Sequence, residues 1–190
     1  SYLLTGGTDL ALEVTKKRKN LKNIFYLGSN DELNYINVKN NNIHIGASTP
    51  INELIPILNM YYPTFAKMFE RYGSEQIRNT ASLGGNIGSA SPIGDSLPVL
   101  MSLDSKIITE GRVKKTISFE DFFIDYKKTK LGKKELIKEI IIPIHKKHLL
   151  KCYKISKRID DDISSIFMAI NAKLENNKFK HLKIVCGGMA

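Results

Sequence analysis

The run Gln76-Ile77-Arg78-Asn79-Thr80-Ala81-Ser82-Leu83-Gly84-Gly85-Asn86-Ile87, continued by Ala90-Ser91-Pro92-Ile93-Gly94-Asp95-Ser96-Leu97-Pro98-Val99-Leu100, carries the decisive information in this sequence. It is rich in glycine and serine, and residues 76–98 show no helical or strand periodicity. A loop this long inside a compact domain is normally functional. Gly84 and Gly85 let the backbone approach a ligand closely and turn N–H groups toward an anion, while Ser82 and Asn86 add donors. A second double glycine stands in Thr5-Gly6-Gly7-Thr8-Asp9. Either loop alone is more simply a tight turn; together they suit a diphosphate. Neither is a Walker A motif, which needs a lysine at a fixed position, and neither is G-x-G-x-x-G.

Upstream of the central run, Pro63 opens a predicted helix with Phe65, Met68, Phe69 and Tyr72 on one side and Gly73 as its stop. Thr49 reads as the N-cap of an earlier helix, with Pro50 at its first position, Glu53 in the first turn, and a bend at Pro56 on the way to Leu58. Residues 33–38 and 43–47 alternate as a hairpin across Asn40-Asn41-Asn42. The beginning reads as strand 2–5, the glycine turn, helix 9–15 and strand 24–27. Downstream, a helix over 96–103 precedes a hairpin of 106–109 with 113–117, a helical turn at 120–123 and a strand at 136–142 closed by Pro143. A domain boundary is placed near His145. Three antiparallel strands follow, over 149–157, 163–174 and 179–186.

At 190 residues with 42% hydrophobic and 25% charged, the chain has the proportions of a soluble globular protein and the length for a sizeable core. Cys152 and Cys186 form no C-x-x-C and join no His/Asp cluster, so no metal site is expected and both read as reduced thiols of a cytoplasmic protein. No run approaches a membrane span; the densest, 140–144, contains Pro143. The net charge of +10 raises the possibility of a basic nucleic-acid-binding module, but the lysines are scattered through turns without aromatic interleaving or a recognition helix. They read as a solvated surface.

The central run closely resembles the FAD-binding subunit or domain of xanthine dehydrogenases and related molybdenum hydroxylases. Three further segments fall in that family's order: Thr5-Gly6-Gly7-Thr8-Asp9, Ile45-Gly46-Ala47-Ser48-Thr49-Pro50, and Tyr153-Lys154-Ile155-Ser156-Lys157-Arg158 followed by Asp160-Asp161-Asp162-Ile163. The resemblance implies an α+β fold. Residues 1–145 would be a two-subdomain FAD-binding domain of the vanillyl-alcohol-oxidase-like type, and 146–190 the start of a small α+β C-terminal domain with antiparallel strands. The family's first strand and helix would precede Ser1, and its C-terminal domain would be incomplete here.

The same resemblance assigns cofactor-binding roles. Leu4, Thr5, Gly6, Gly7, Thr8, Asp9 and Leu10 would form the first diphosphate loop, and Ser82, Gly84, Gly85 and Asn86 the second. Ser89 would lie near the cofactor, Asp95 would accept hydrogen bonds from the adenosine ribose, and Ile137 would pack on the adenine side. Tyr72 would stack on the isoalloxazine, and Lys154 would stabilise negative charge at the flavin's pyrimidine edge. No catalytic side chain is implied, because the flavin does the chemistry. By pattern alone, Tyr72 is more often a core aromatic, Asp95 an N-cap, Lys154 an outward lysine on a strand, and 160–162 a solvated turn; the resemblance would set that last loop beside the flavin and the nicotinamide approach.

The implied function is that of the flavoprotein subunit in a heteromeric complex. Electrons would come from 2Fe-2S clusters on a small partner subunit and a molybdopterin-binding large subunit, pass through noncovalent FAD, and leave to NAD or another acceptor. The two cysteines are too few for iron–sulfur clusters on this chain. A stand-alone FAD-dependent reductase of the same superfamily would share the glycine loops.

Overall fold

A computed structural model describes residues 1–189; Ala190, counted in the expected second domain, lies outside the described residues. The chain opens as β1 (Tyr2–Leu4), α1 (Leu10–Thr15) and β2 (Ile24–Tyr26). β1 and β2 pair in parallel with Leu3 opposite Phe25, which is why a helix must cross between them.

β3 (Ile36–Lys39) and β4 (Asn42–Gly46) form the expected hairpin. Asn40 and Asn41 both have positive φ, 49° and 58°, as a two-residue type I′ turn demands and as asparagine tolerates. α2 (Ile51–Tyr61) and α3 (Pro63–Glu70) follow. Pro50, rather than Thr49, occupies the N-cap position of α2. Thr49 is instead buried, and its hydroxyl bridges the N–H and C=O of Tyr35, tying the helix entry to the residue that leads into β3. α2 continues through Pro56 to Tyr61. α3 ends at Glu70, short of the predicted stop at Gly73, so Arg71 and Tyr72 leave the helix.

The stretch read as one long loop contains α4 (Glu75–Arg78), α5 (Leu83–Ser89) and the start of α6 (Ser96–Ser102). Glycines disfavour α5 intrinsically, but tertiary packing overrides propensity. Leu83 and Ile87 are completely buried on its inner face, and Ser82 caps it by accepting from Gly85 N at 3.1 Å. Gly84 fits the fold because a Cβ there would lie 2.6 Å from the Cβ of Ala47.

β5 (Lys106–Glu110), β6 (Lys115–Ser118), α7 (Phe119–Phe122), β7 (Phe123–Asp125), β8 (Lys128–Thr129) and β9 (Leu136–Pro143) complete this part; the small β7–β8 ladder had no sequence signal. The main sheet is antiparallel, in the order β3-β4-β9-β5-β6. β9 lies at its centre and buries Ile140 and Ile142 against a core that includes Ile51, Leu54, Phe65, Phe69, Leu83 and Ile87.

β10 (Leu149–Ile155), β11 (Ile166–Glu175) and β12 (Lys178–Gly187) form the separate antiparallel sheet expected at the end of the chain. Its inner residues Leu150, Phe167 and Ala169 join the same core beside α3 and α6. Two side chains seal the junction: Thr64 donates to Leu150 O at 3.0 Å, and buried Asn171 donates to Ser102 O at 2.7 Å. β10 stops at Ile155, before the predicted end at Lys157, because Arg71 captures the departing backbone. Its guanidinium donates to Lys154 O, Ser156 Oγ and Ile159 O at 3.2–3.3 Å. Both cysteines are free thiols, and among the described residues no helix is long and apolar enough to cross a membrane.

Candidate functional site

The first glycine loop joins β1 to α1 and passes against the segment entering α5. Gly6 lies so close to Thr80 that a Cβ would fall 1.6 Å from the Thr80 carbonyl oxygen, and Gly7 adopts φ +73°. No residue with a side chain fits at Gly6 in this crossing. Thr5 Oγ1 and Ser82 Oγ are 2.7 Å apart, so a single hydroxyl pair links the two loops. Among the described residues, the N–H groups of Gly6, Gly7 and Thr8 have no protein acceptor.

The second loop differs from its sequence reading in one respect. Its N–H groups do not turn outward: Leu83 N donates to Thr49 O, Gly84 N to Ala47 O and Gly85 N to Ser82 Oγ. Gly84 therefore sits on the buried face of α5, where it packs against the end of β4, and Gly85 and Gly88 occupy the exposed face. A Cβ at Gly85 would stand 2.9 Å from Ser82 Oγ and 3.2 Å from Thr5 Oγ1. The glycine thus keeps open a cradle whose floor is two hydroxyls and whose wall is a loop of free amides. That donor set fits an anion such as a diphosphate.

Tyr72 lies at one end of this face. Asn86 Nδ2, projecting from α5, donates to Tyr72 Oη at 2.9 Å, and Ser96 donates in turn to Asn86 Oδ1. The ring meets Phe69 edge-on, with centroids 6.0 Å apart. Burial pushes the Tyr72 phenol up to about 12, the negative charges of Asp95 and Asp9 add to this, and the bond from Asn86 opposes it.

Asp95 and Lys154 meet beside this group. Lys154 Nζ is 2.6 Å from Asp95 Oδ2, Ser164 donates to Asp95 Oδ1 at 2.5 Å, and the two charged side chains are only 4–5% exposed. Lys154 is therefore not an outward lysine, and Asp95, although at the start of α6, makes no side-chain cap. The roles expected for them, at the adenosine ribose and at the pyrimidine edge, belong to opposite ends of an extended dinucleotide; here the two groups neutralise each other at one point.

Ser89 donates back to Asn86 O at 2.8 Å, and Ile137 Cδ1 lies 3.7 Å from where a Gly88 Cβ would stand. Leu4 ends β1, with its side chain against Gly7, and Asp9 and Leu10 begin α1. Asp160 and Asp161 are exposed and Asp162 is half-buried. Asp162 accepts from Arg158 N and Ile163 N, which holds its carboxyl below the usual range. The structure thus gathers the first loop, Ser82, Gly85, Asn86, Tyr72, Asp95 and Lys154, and turns Gly84 away. Sequence reasoning missed Ser96, Ser164 and Arg71, whose partners lie 10, 69 and 83–88 positions away, beyond any local pattern.

Residues 1–145 match the family described as the FAD binding domain in molybdopterin dehydrogenase, and residues 151–190 match the CO dehydrogenase flavoprotein C-terminal domain. Over 99% of its length the chain is 30% identical to a xanthine dehydrogenase of Emericella nidulans, and it spans 15% of that protein. It is 29% identical to a nicotinate dehydrogenase FAD-subunit of Eubacterium barkeri, with 92% of the chain matching 61% of that relative. In fold it superposes on a chain of the carbon monoxide dehydrogenase from Hydrogenophaga pseudoflava with a TM-score of 0.92 at 23% identity, covering 97% of this chain and 66% of that one.

Proposed function

The chain belongs to the family of FAD-binding domains in molybdopterin dehydrogenases, and on that premise we propose that it forms the flavin-carrying part of a molybdenum hydroxylase. The observation that carries this reading is the Thr5–Ser82 hydroxyl pair beneath Gly85, which turns two separate glycine loops into one cradle. The amides of Gly6, Gly7 and Thr8 and the two hydroxyls would hold the diphosphate of FAD without a covalent link. Tyr72 would lie against the isoalloxazine. With Tyr72 close by, the Asp95–Lys154 pair belongs to the flavin end of the ligand rather than to its adenosine ribose.

FAD, when bound, supplies redox chemistry that the side chains here cannot. What the chain contributes is binding, orientation and electrostatics. The buried Lys154 ammonium, oriented by Asp95, would present a fixed dipole at the flavin edge in a water-poor setting, where it acts more strongly than in solution. Residues 1–145 and 146–190 would be the two domains of a cytoplasmic flavoprotein component, fed by 2Fe-2S clusters and a molybdopterin centre on partner subunits, with NAD or another acceptor taking the electrons.

Titration with FAD tests the first half of the proposal: saturable binding and release of all the flavin on acid precipitation are expected, and absence of binding overturns it. Purification from native cells tests the second. Stoichiometric iron and molybdenum in a co-purifying complex is expected, whereas a flavoprotein free of both metals would favour a stand-alone reductase.

A further inference from the structure

Tyr72 ends a chain of hydrogen bonds whose direction follows from the placement of the Asn86 amide between Ser96 and Tyr72. Ser96, completely buried, donates its hydroxyl proton to Asn86 Oδ1. The other end of the same amide, Asn86 Nδ2, lies 2.9 Å from Tyr72 Oη. An amide nitrogen only donates, and Tyr72 Oη is therefore the acceptor. The phenol's own proton must point elsewhere. Among the described residues no acceptor is paired with it, and the carboxylate oxygens of Asp95 are committed to Lys154 and Ser164.

Resting on the reading of this face as a flavin site, we propose that Tyr72 is a hydrogen-bond donor to the bound flavin as well as a stacking surface, with Asn86 and Ser96 as the positioning residues that turn its O–H toward the ligand. The ring is already held by its edge-on contact with Phe69, so only the hydroxyl rotor needs a director. The phenol also stays protonated through the whole neutral range, because burial and the nearby carboxylates oppose its ionisation. A phenylalanine at this position would keep the ring and lose the donor. An aspartate at position 86 would accept the phenolic proton and draw it away from the ligand.

The test compares the unaltered protein with Tyr72→Phe, Asn86→Asp and Ser96→Ala, using the visible absorption spectrum and the dissociation constant of bound FAD. Tyr72→Phe and Asn86→Asp are each expected to displace the flavin bands, and Tyr72→Phe to weaken FAD binding by about threefold to tenfold, the worth of one hydrogen bond. Ser96→Ala should move the bands part of the way, and should have no further effect in the Tyr72→Phe background. That absence of additivity is what a residue acting only through fold stability would not produce. Bands and affinity unchanged in both Tyr72→Phe and Asn86→Asp, with FAD bound normally to the unaltered protein, would overturn the donor role while leaving the flavin site standing. No FAD binding by the unaltered protein would overturn the site and the donor role together.

Discussion

Thr5 Oγ1 and Ser82 Oγ lie 2.7 Å apart across 77 residues of sequence, and their hydrogen bond joins the first glycine loop to the start of α5. Ser82 also accepts from Gly85 N. One buried serine therefore caps a glycine-rich helix and fixes the loop that faces it, so the cradle and the helix depend on the same oxygen.

Ser82→Ala is expected to remove both functions. Loss of the cap should lower the free energy of unfolding by about 1–2 kcal/mol in urea titration, and FAD affinity should fall by about tenfold as the first loop loses its anchor. A variant as stable as the parent would show that α5 does not rely on this cap.

Gly84 and Gly85 should separate structure from binding although they are adjacent. Gly84→Ala drives a methyl into Ala47 and should destabilise the fold by about 1–3 kcal/mol through overpacking. Gly85→Ala places its methyl 2.9 Å from Ser82 Oγ on an exposed face, where alanine's better helix propensity offsets the displaced hydroxyl, so stability should fall less than in Gly84→Ala while FAD binding is lost. The opposite pattern would mean that the ligand lies on the other side of α5.

Lys154→Met leaves Asp95 buried without its counter-charge, which should cost about 3–5 kcal/mol of stability. Removing both charges, in Lys154→Met with Asp95→Asn, should restore most of that loss. The double-mutant cycle, measured by denaturant unfolding with and without FAD, separates the pair's role in joining α6 to β10 from any role at the flavin.

A pH effect should arise at the seam between the two sheets. His145 and His148 stack with ring centroids 4.5 Å apart, and His181 lies 5.0 Å beyond. Burial, together with its two histidine neighbours, holds His145 below its ordinary value, against the Leu103 carbonyl and Asp104, which favour the charged form. The unfolded chain therefore binds more protons than the folded one just below the ordinary histidine pKa of about 6.5. Stability should be fully present above that pH and should decline as pH falls through it toward the lower folded value. His145→Gln should flatten the slope of melting temperature against pH between about 7 and 5; an unchanged slope would place the proton uptake elsewhere.

Local chemistry made much of this protein legible in its sequence. Alternation and asparagine-rich turns specified the hairpin at 36–46 and the closing sheet, because strand period and left-handed turn residues act within a few positions. The two glycine loops announced themselves by composition, and the resemblance of the central run supplied their family. The sequence did not disclose α5, since its glycines argue against a helix and only the burial of Leu83 and Ile87, with Gly84 flat against Ala47, makes one favourable. Nor did it disclose which glycine faces outward, that Asp95 and Lys154 are spent on each other, or that Arg71 ends β10. Each of these depends on groups brought together from distant positions, where hydrogen bonds and desolvation act through space and leave no periodic trace along the chain.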